Sequence, residues 1–343
     1  MTERTVYEVC DFIEKAGRTL VLGHVNPDAD CLGSAFALRE MINACDGRAD
    51  VACDGQVPDR LSFMCDAVLT PDGADADGYD TIISVDVASP LQLGKFEALI
   101  PQIKVMIDHH ASGTPFADNL IKTDASAAGE IVYRIYKELV FRGSIRRNVR
   151  VMRLLYAAIV SDCGSFKYSN TTPYTHGIAA ELVANINTAN DGGLDTDAIC
   201  HLLFGRFTVR EMTAKMIAIK NMRLYEDGRL GVVMFSRETL AENGLTESDV
   251  GNAVETPRCI DGVLVALALR QTGERTYKVS SRANAEIDCA AVCANYGGGG
   301  HVRAAGCTIE ADSPEDAEKI AVDAFGKAVR EYLENTPLVK ARI

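Results

Sequence analysis

The sequence predicts a two-domain α/β protein, and three observations carry that expectation. Short apolar runs rich in Ile and Val ("TLVLGHV", "ADVAC", "DTIISVDV", "IKVMID") alternate with helical patterns through the first half. That rhythm suits a parallel sheet with helices on both faces. A chain of 343 residues is longer than one core usually organises. Beyond residue 222 the pattern changes to strands joined as a hairpin, a glycine run and a last helix, as in a smaller mixed-sheet α/β domain. The expected organisation is a first domain over 1–190, a linker with a helix over 191–221, and a second domain over 222–343.

The elements follow in order. Thr5 to Ala16 reads as a helix opened by the capping box "TVYE". "TLVLGHV" is a buried strand, and "CLGSAFALREMINAC" the next helix. Three more short strands follow, then long helices over Thr123 to Arg142 and Asn148 to Val160. "TTPYTHGIAAELVANIN" is a further helix with Pro173 in its first turn. Polar, glycine-rich "NTANDGGLDTD" ends the first domain, and a helical stretch near 206–221 carries the chain across. In the second domain "LGVVMFS", "GVLVALALR" and "TYKVSSR" are strands, the last two joined through "QTGER". A short helix covers "DCAAVCANY". The final helix opens with Ser313 as cap and Pro314 in its first turn.

Composition narrows the function classes. A formal charge of −13 without a basic stripe disfavours long nucleic acid, which is held by phosphate neutralisation. No apolar run is long enough for a bilayer, so no membrane partner is expected. The charged start "MTERTVYEVCDFIEK" lacks the apolar core of a signal peptide, and a cytoplasmic location is expected. Eleven cysteines without a CxxC pair read as reduced thiols. Cys289 and Cys293, four apart, are a weaker candidate for a soft-metal site.

Acidic clusters sit at the ends of first-domain elements: "GHVNPDAD" (His24, Asp28, Asp30), "SVDVAS" (Asp86), "MIDHH" (Asp108, His109, His110) and "SDCGSF" (Asp162). The first three each follow a strand. Ligand sites of open parallel sheets form beyond the strands' carboxyl ends, so these pieces are expected to converge. Four carboxylates within about 4 Å repel by roughly 4 kcal/mol per pair at an effective dielectric near 20. Two divalent cations offset that charge, with His24 and His109 as neutral ligands. An oxygen and imidazole set without thiolate favours Mn²⁺, with Mg²⁺ as the other choice. Such a pair clamps phosphoryl oxygens and promotes ester hydrolysis. In the second domain, "YGGGGHVRAAG" offers backbone N–H groups as an anion nest, with the N-terminus of a following helix expected to add to it. Gly298, Gly299, Gly300, His301, Arg303 and Arg282 are the candidate substrate-binding residues, Arg282 through a bidentate phosphate pair.

"GHVNPDADCLGSAFAL", "SVDVAS", "DHH", "SDCGSFKYSNTT" and "GGGGHVRAAG" occur in the order seen in DHH-family phosphoesterases, and the second half resembles the first type of DHH-associated domain. The resemblance spans nearly the whole chain. It implies an active site in the cleft between the domains. It also implies that His24 and Asp28 hold one metal, that Asp30, His109 and Asp162 hold the other, and that Asp86 bridges both. By the same resemblance Asp108 orients a ligand histidine, and His110 touches the scissile phosphate. Within the family the chain is most similar to stand-alone oligoribonucleases that also remove the 3′-phosphate of 3′-phosphoadenosine 5′-phosphate (pAp). The implied substrates are short oligoribonucleotides, dinucleotides and pAp. Cys31 and Cys163 depart from the pattern and suggest oxidant sensitivity. The alternatives are a manganese inorganic pyrophosphatase, against which the glycine loop argues, and a non-catalytic nucleotide sensor. Cyclic dinucleotides stay open as substrates. A homodimer is a further expectation, with "TGERTYKV" as the candidate sheet edge for pairing.

Overall fold

A computed structural model describes residues 1–74, 76–111 and 113–336. The chain divides into two compact units, Met1–Arg206 and Phe207–Ile343. The segment expected as a separate linker is therefore shared between the two units.

The first unit contains α1 (Val6–Glu14), β1 (Arg18–Leu22), α2 (Ala29–Ala44), β2 (Arg48–Ala52), β3 (Thr81–Val85), β4 (Ile103–Asp108), β5 (Asn119–Ile121), α3 (Ala128–Arg142), α4 (Val149–Asp162), α5 (Pro173–Ile186) and α6 (Thr196–Cys200). Thr5 caps α1 through the expected capping box, and Asn148 caps α4. All five strands are parallel, in the order β2-β1-β3-β4-β5. Successive residues of a strand face opposite sides of the sheet. Val21, Ile83, Val105 and Ile107 join a core with α1 to α5. Leu20, Leu22, Ile82 and Met106 face a second core, closed by a 3₁₀ stretch over Pro90–Gln102 through Leu93 and Phe96. Helix α2 is buried almost all round because it lies between the sheet and α4.

Where α2 crosses α4 only glycine fits. A Cβ at Gly33 would lie 2.6 Å from the Leu154 carbonyl oxygen and 2.9 Å from Ala158 Cβ. Backbone on a packed helix cannot give way cheaply. Gly33→Ala is expected to cost about 1–3 kcal/mol, read as a lower urea midpoint at unchanged m-value; an unchanged midpoint would contradict this packing.

Helix α3 begins at Ala128, five residues later than its sequence pattern suggests. The N–H groups of Ala128 and Gly129 bond Asp30 rather than continuing an upstream turn. Strand β5, three residues long, has too little alternation to be read from sequence.

The second unit contains α7 (Val209–Asn221), β6 (Arg223–Tyr225), β7 (Leu230–Phe235), α8 (Arg237–Glu242), α9 (Glu255–Arg258), β8 (Val265–Gln271), β9 (Thr276–Ala283), α10 (Cys289–Ala294), β10 (Gly299–His301), β11 (Ala304–Glu310) and α11 (Pro314–Asn335). Its sheet runs β10-β11-β9-β8-β7-β6 and is mixed: β7 and β8 are parallel, the other neighbours antiparallel. Val265, Leu267 and Leu269 face α10 and α11, while Ala266 and Ala268 face α7 to α9. The expected hairpin is β8–β9. Strand β9 is paired on both sides, so "TGERTYKV" is no free edge along its strand.

The glycine run departs from expectation. It leads from α10 into the β10–β11 hairpin, with Gly300 opposite Ala305, and no helix follows it. Gly298, without a Cβ, packs closely against Gly306 and Cys307, which lets β10 lie beside β11.

Candidate metal centre

Register brings the first pieces together. Leu22 pairs with Ser84, and Val85 with Ile107. His24, two residues beyond the end of β1, Asp86, one beyond β3, and Asp108, the last residue of β4, therefore leave the sheet side by side. Asp28 is the N-cap of α2; its Oδ1 accepts the N–H groups of Asp30 and Cys31, both at 3.0 Å. Asp30 lies in the first turn of α2 and is buried. It accepts from Ala128 N (2.7 Å), Gly129 N (2.9 Å) and Ser34 Oγ (3.1 Å). Asp162 ends α4 and comes to the same place.

Asp86 stands at the centre. Its Oδ2 lies 3.6 Å from His24 Nε2 and its Oδ1 3.6 Å from His109 Nε2. His24 Nε2 is 3.8 Å from Asp28, and His109 Nε2 is 3.8 Å from Asp30 and 3.6 Å from Asp162. The side chains thus fall into two groups that share Asp86. Asp86 has φ +58°, a left-handed conformation uncommon outside glycine. Such strain gathers at functional sites.

Two histidine nitrogens are spoken for. His24 Nδ1 faces the Val25 carbonyl at 2.7 Å, and His109 Nδ1 faces that of Ala125 at 3.3 Å, so in both rings Nε2 points at the acids. Asp108 differs from expectation. Its buried carboxylate bonds His110 Nδ1 at 2.8 Å instead of a histidine of the expected ligand set. Asp108 and His110 share the exit of β4, two residues apart, whereas His109 turns toward Asp86.

The electrostatics show an acid excess. Burial pushes the Asp30 carboxyl well up, helped by Asp86, Asp162 and Asp28. Burial and the charges of Asp86 and Asp28 raise Asp162 to about 7 against the pull of His109. Burial also works to raise Asp86, but His24, His109 and His110 hold it at about 2. Asp86 Oδ1 is buried and accepts no hydrogen bond among the described residues. Gaps of 3.6–3.8 Å exceed hydrogen bonds and suit donors sharing an ion. An orphaned carboxylate oxygen, crowded acids and inward Nε2 atoms fit divalent cations.

One donor escaped the reading of the sequence. Cys31 Sγ accepts the His24 N–H at 3.3 Å and lies within 4.8 Å of ligand atoms of His24 and Asp86. No spacing rule flags a lone cysteine inside "NPDADC". Burial raises the thiol pKa values of both Cys31 and Cys163, which opposes the thiolate needed for the expected oxidation. All eleven cysteines are free. Cys289 and Cys293 share α10, and with Cys307 belong to no metal-sized group among the described residues.

His110 carries a testable charge. Burial works against protonation, yet the hydrogen bond to Asp108, with Asp86 nearby, raises its pKa from 6.5 to about 9. In the ion-free protein this contribution to stability is complete below pH 6.5 and is lost as pH rises through about 9. Asp108→Asn is expected to move the His110 midpoint down toward the ordinary histidine value, followed by NMR of the imidazole protons; an unmoved midpoint would contradict the pairing.

In the second unit the candidate substrate-binding cations have acidic neighbours. Arg282 Nε lies 3.7 Å from Glu255, which also pairs with Arg258, and Arg303 lies 3.8 Å from Glu286. Gly299, Gly300 and His301 are exposed along β10.

Fold and site together define an α/β protein with a carboxylate–imidazole centre at the carboxyl ends of a parallel sheet. Residues 18–159 match the DHH family, N-terminal domain, and residues 230–335 the DHHA1 domain. The chain thus carries a DHH-family N-terminal domain followed by a DHHA1 domain. It is 27% identical to the probable bifunctional oligoribonuclease and PAP phosphatase NrnA of Streptococcus mutans, over 85% of this chain and 90% of that one. It is 26% identical to the bifunctional oligoribonuclease and PAP phosphatase NrnA of Bacillus subtilis, over 88% and 91%. In fold it is similar to an exopolyphosphatase-related protein from Bacteroides fragilis, with a TM-score of 0.83, 21% identity, and 95% and 96% of the two chains covered. No helix among the described residues is long and apolar enough to cross a membrane.

Proposed function

We propose that this chain is a two-metal phosphoesterase that hydrolyses short oligoribonucleotides to nucleoside 5′-monophosphates and dephosphorylates pAp to AMP. The observation that carries the reading is Asp86, whose two oxygens face two different imidazoles. His24 and Asp28 would hold one ion, Asp30, His109 and Asp162 the other, with Asp86 between them and Mn²⁺ preferred over Mg²⁺. When bound, such ions lower the pKa of coordinated water and stabilise charge on phosphoryl oxygens.

The chain's own groups do the rest. Asp108 holds His110 through Nδ1 and so fixes the ring's orientation, and His110 would then touch the scissile phosphate. In the second unit Arg282, His301, Arg303 and the backbone of Gly298, Gly299 and Gly300 bind phosphate and nucleotide, with the acidic partners of the arginines yielding to a more highly charged phosphate. The activities after which the two relatives are named support the substrate class.

The test is a panel. Mn²⁺-loaded protein is given pAp, inorganic pyrophosphate and di- to pentaribonucleotides, and initial rates are compared. Turnover of pAp and of the shortest oligomers at least about tenfold above pyrophosphate is expected. Pyrophosphate as the fastest substrate would favour the pyrophosphatase reading; nucleotide binding without hydrolysis would favour a sensor.

A further inference from the structure

One short segment touches two of the expected ligands and reaches the backbone of a third through Asn170. The Ala125 carbonyl faces His109 Nδ1 at 3.3 Å. The Ala128 and Gly129 N–H groups hold Asp30 at 2.7 and 2.9 Å. Between them, the Ser126 carbonyl accepts from Asn170 Nδ2 at 2.9 Å, and the same amide donates to the Asp162 carbonyl at 3.2 Å. His109, Asp30 and Asp162 form one of the two groups around Asp86.

The segment is pinned from below. Glu130 is fully buried, and its Oε1 accepts from Ser126 Oγ and Thr175 Oγ1, both at 2.6 Å. Those hydroxyls are buried too, so α3 is tied to α5 through this carboxylate. Glu130 Oε2 and Asn170 Oδ1 are buried with no partner among the described residues, a cost that packing alone does not explain. The other group is built differently. The side-chain hydrogen bonds of His24 and Asp28 stay within residues 24–31.

We propose that Asn170 and Glu130 are positioning residues for one ion only, the one held by Asp30, His109 and Asp162. Neither side chain is a ligand. Asn170 couples the end of α4 to the 125–129 segment, and Glu130 fixes that segment's height against α5. Orienting partners of this kind alter metal affinity by about 10–100-fold when removed. The inference rests on the two-ion reading above.

The experiment is Mn²⁺ binding by equilibrium dialysis, with electron paramagnetic resonance at two equivalents of Mn²⁺. Wild type is expected to bind two ions and give the signal of a coupled pair. Asn170→Ala is expected to keep one tight ion, weaken the other about 10–100-fold, and show the six-line pattern of isolated Mn²⁺. Glu130→Ala should do the same, while Glu130→Gln, which keeps an acceptor for both hydroxyls, should restore the pair. Melting of the ion-free proteins checks folding. If Asn170→Ala does not fold, the contrast between Glu130→Gln and Glu130→Ala decides alone. Unchanged binding, or equal weakening of both ions, overturns the inference. Fewer than two ions on wild type would sink the two-ion reading instead.

Discussion

Replacing Asp86 with alanine is expected to reduce turnover by more than about a thousandfold, or ~4 kcal/mol in the barrier. The physical reason is that one carboxylate serves both groups of ligands. Its removal takes a donor from each and leaves His24 and His109 facing a gap. Binding of Mn²⁺ should weaken at both positions, in contrast to the one-sided loss predicted for Asn170→Ala. Asp86→Asn is the folding control, since asparagine tolerates the left-handed conformation seen at φ +58°. It should melt close to wild type yet remain inactive. A near-wild-type kcat for Asp86→Ala with Mn²⁺ would remove the bridging role.

The second large effect is expected at Gly298. An added Cβ would sit on the Gly306 carbonyl oxygen and 2.7 Å from Cys307 Cα, so backbone of the β10–β11 hairpin would have to move. Gly298→Ala should destabilise the second unit by about 1–3 kcal/mol or more. It should raise KM for pAp at least about tenfold, because His301 and Arg303 lie on that hairpin or its turn. Mn²⁺ binding should survive, since every expected ligand lies in the first unit. Loss of Mn²⁺ binding together with a normal KM would show that the roles of the two units have been assigned the wrong way round.

These two substitutions differ in how readily the sequence announces them. Asp86 is visible as an acid ending an apolar run, and it gains meaning only alongside "NPDAD" and "DHH". Gly298 is visible within a run of glycines, but the run suggests a loop leading to a helix. The hairpin that forms instead depends on Gly306 and Cys307, eight and nine residues away, and no local pattern records that contact. Asp108 shows the same limit. Its place beside two histidines is plain, yet which ring it holds depends on how the chain leaves β4.

Helix boundaries and strand order divide along similar lines. Caps such as Thr5, Asn148 and Ser313 are local hydrogen bonds and can be read from a few residues. The start of α3 cannot, because Asp30, nearly a hundred residues earlier, takes the first N–H groups.

The linear order was enough for the α/β class, the two halves, most strands and helices, and the residue types able to hold divalent cations, because periodicity, capping and charge crowding act over short stretches. Only the folded arrangement decided which oxygens and nitrogens meet, that Cys31 stands beside His24, that Asp108 serves His110, and that residues 125–129 hold Asp30 and His109. Those facts rest on strand register and helix packing, which join positions far apart in the chain and leave no local trace.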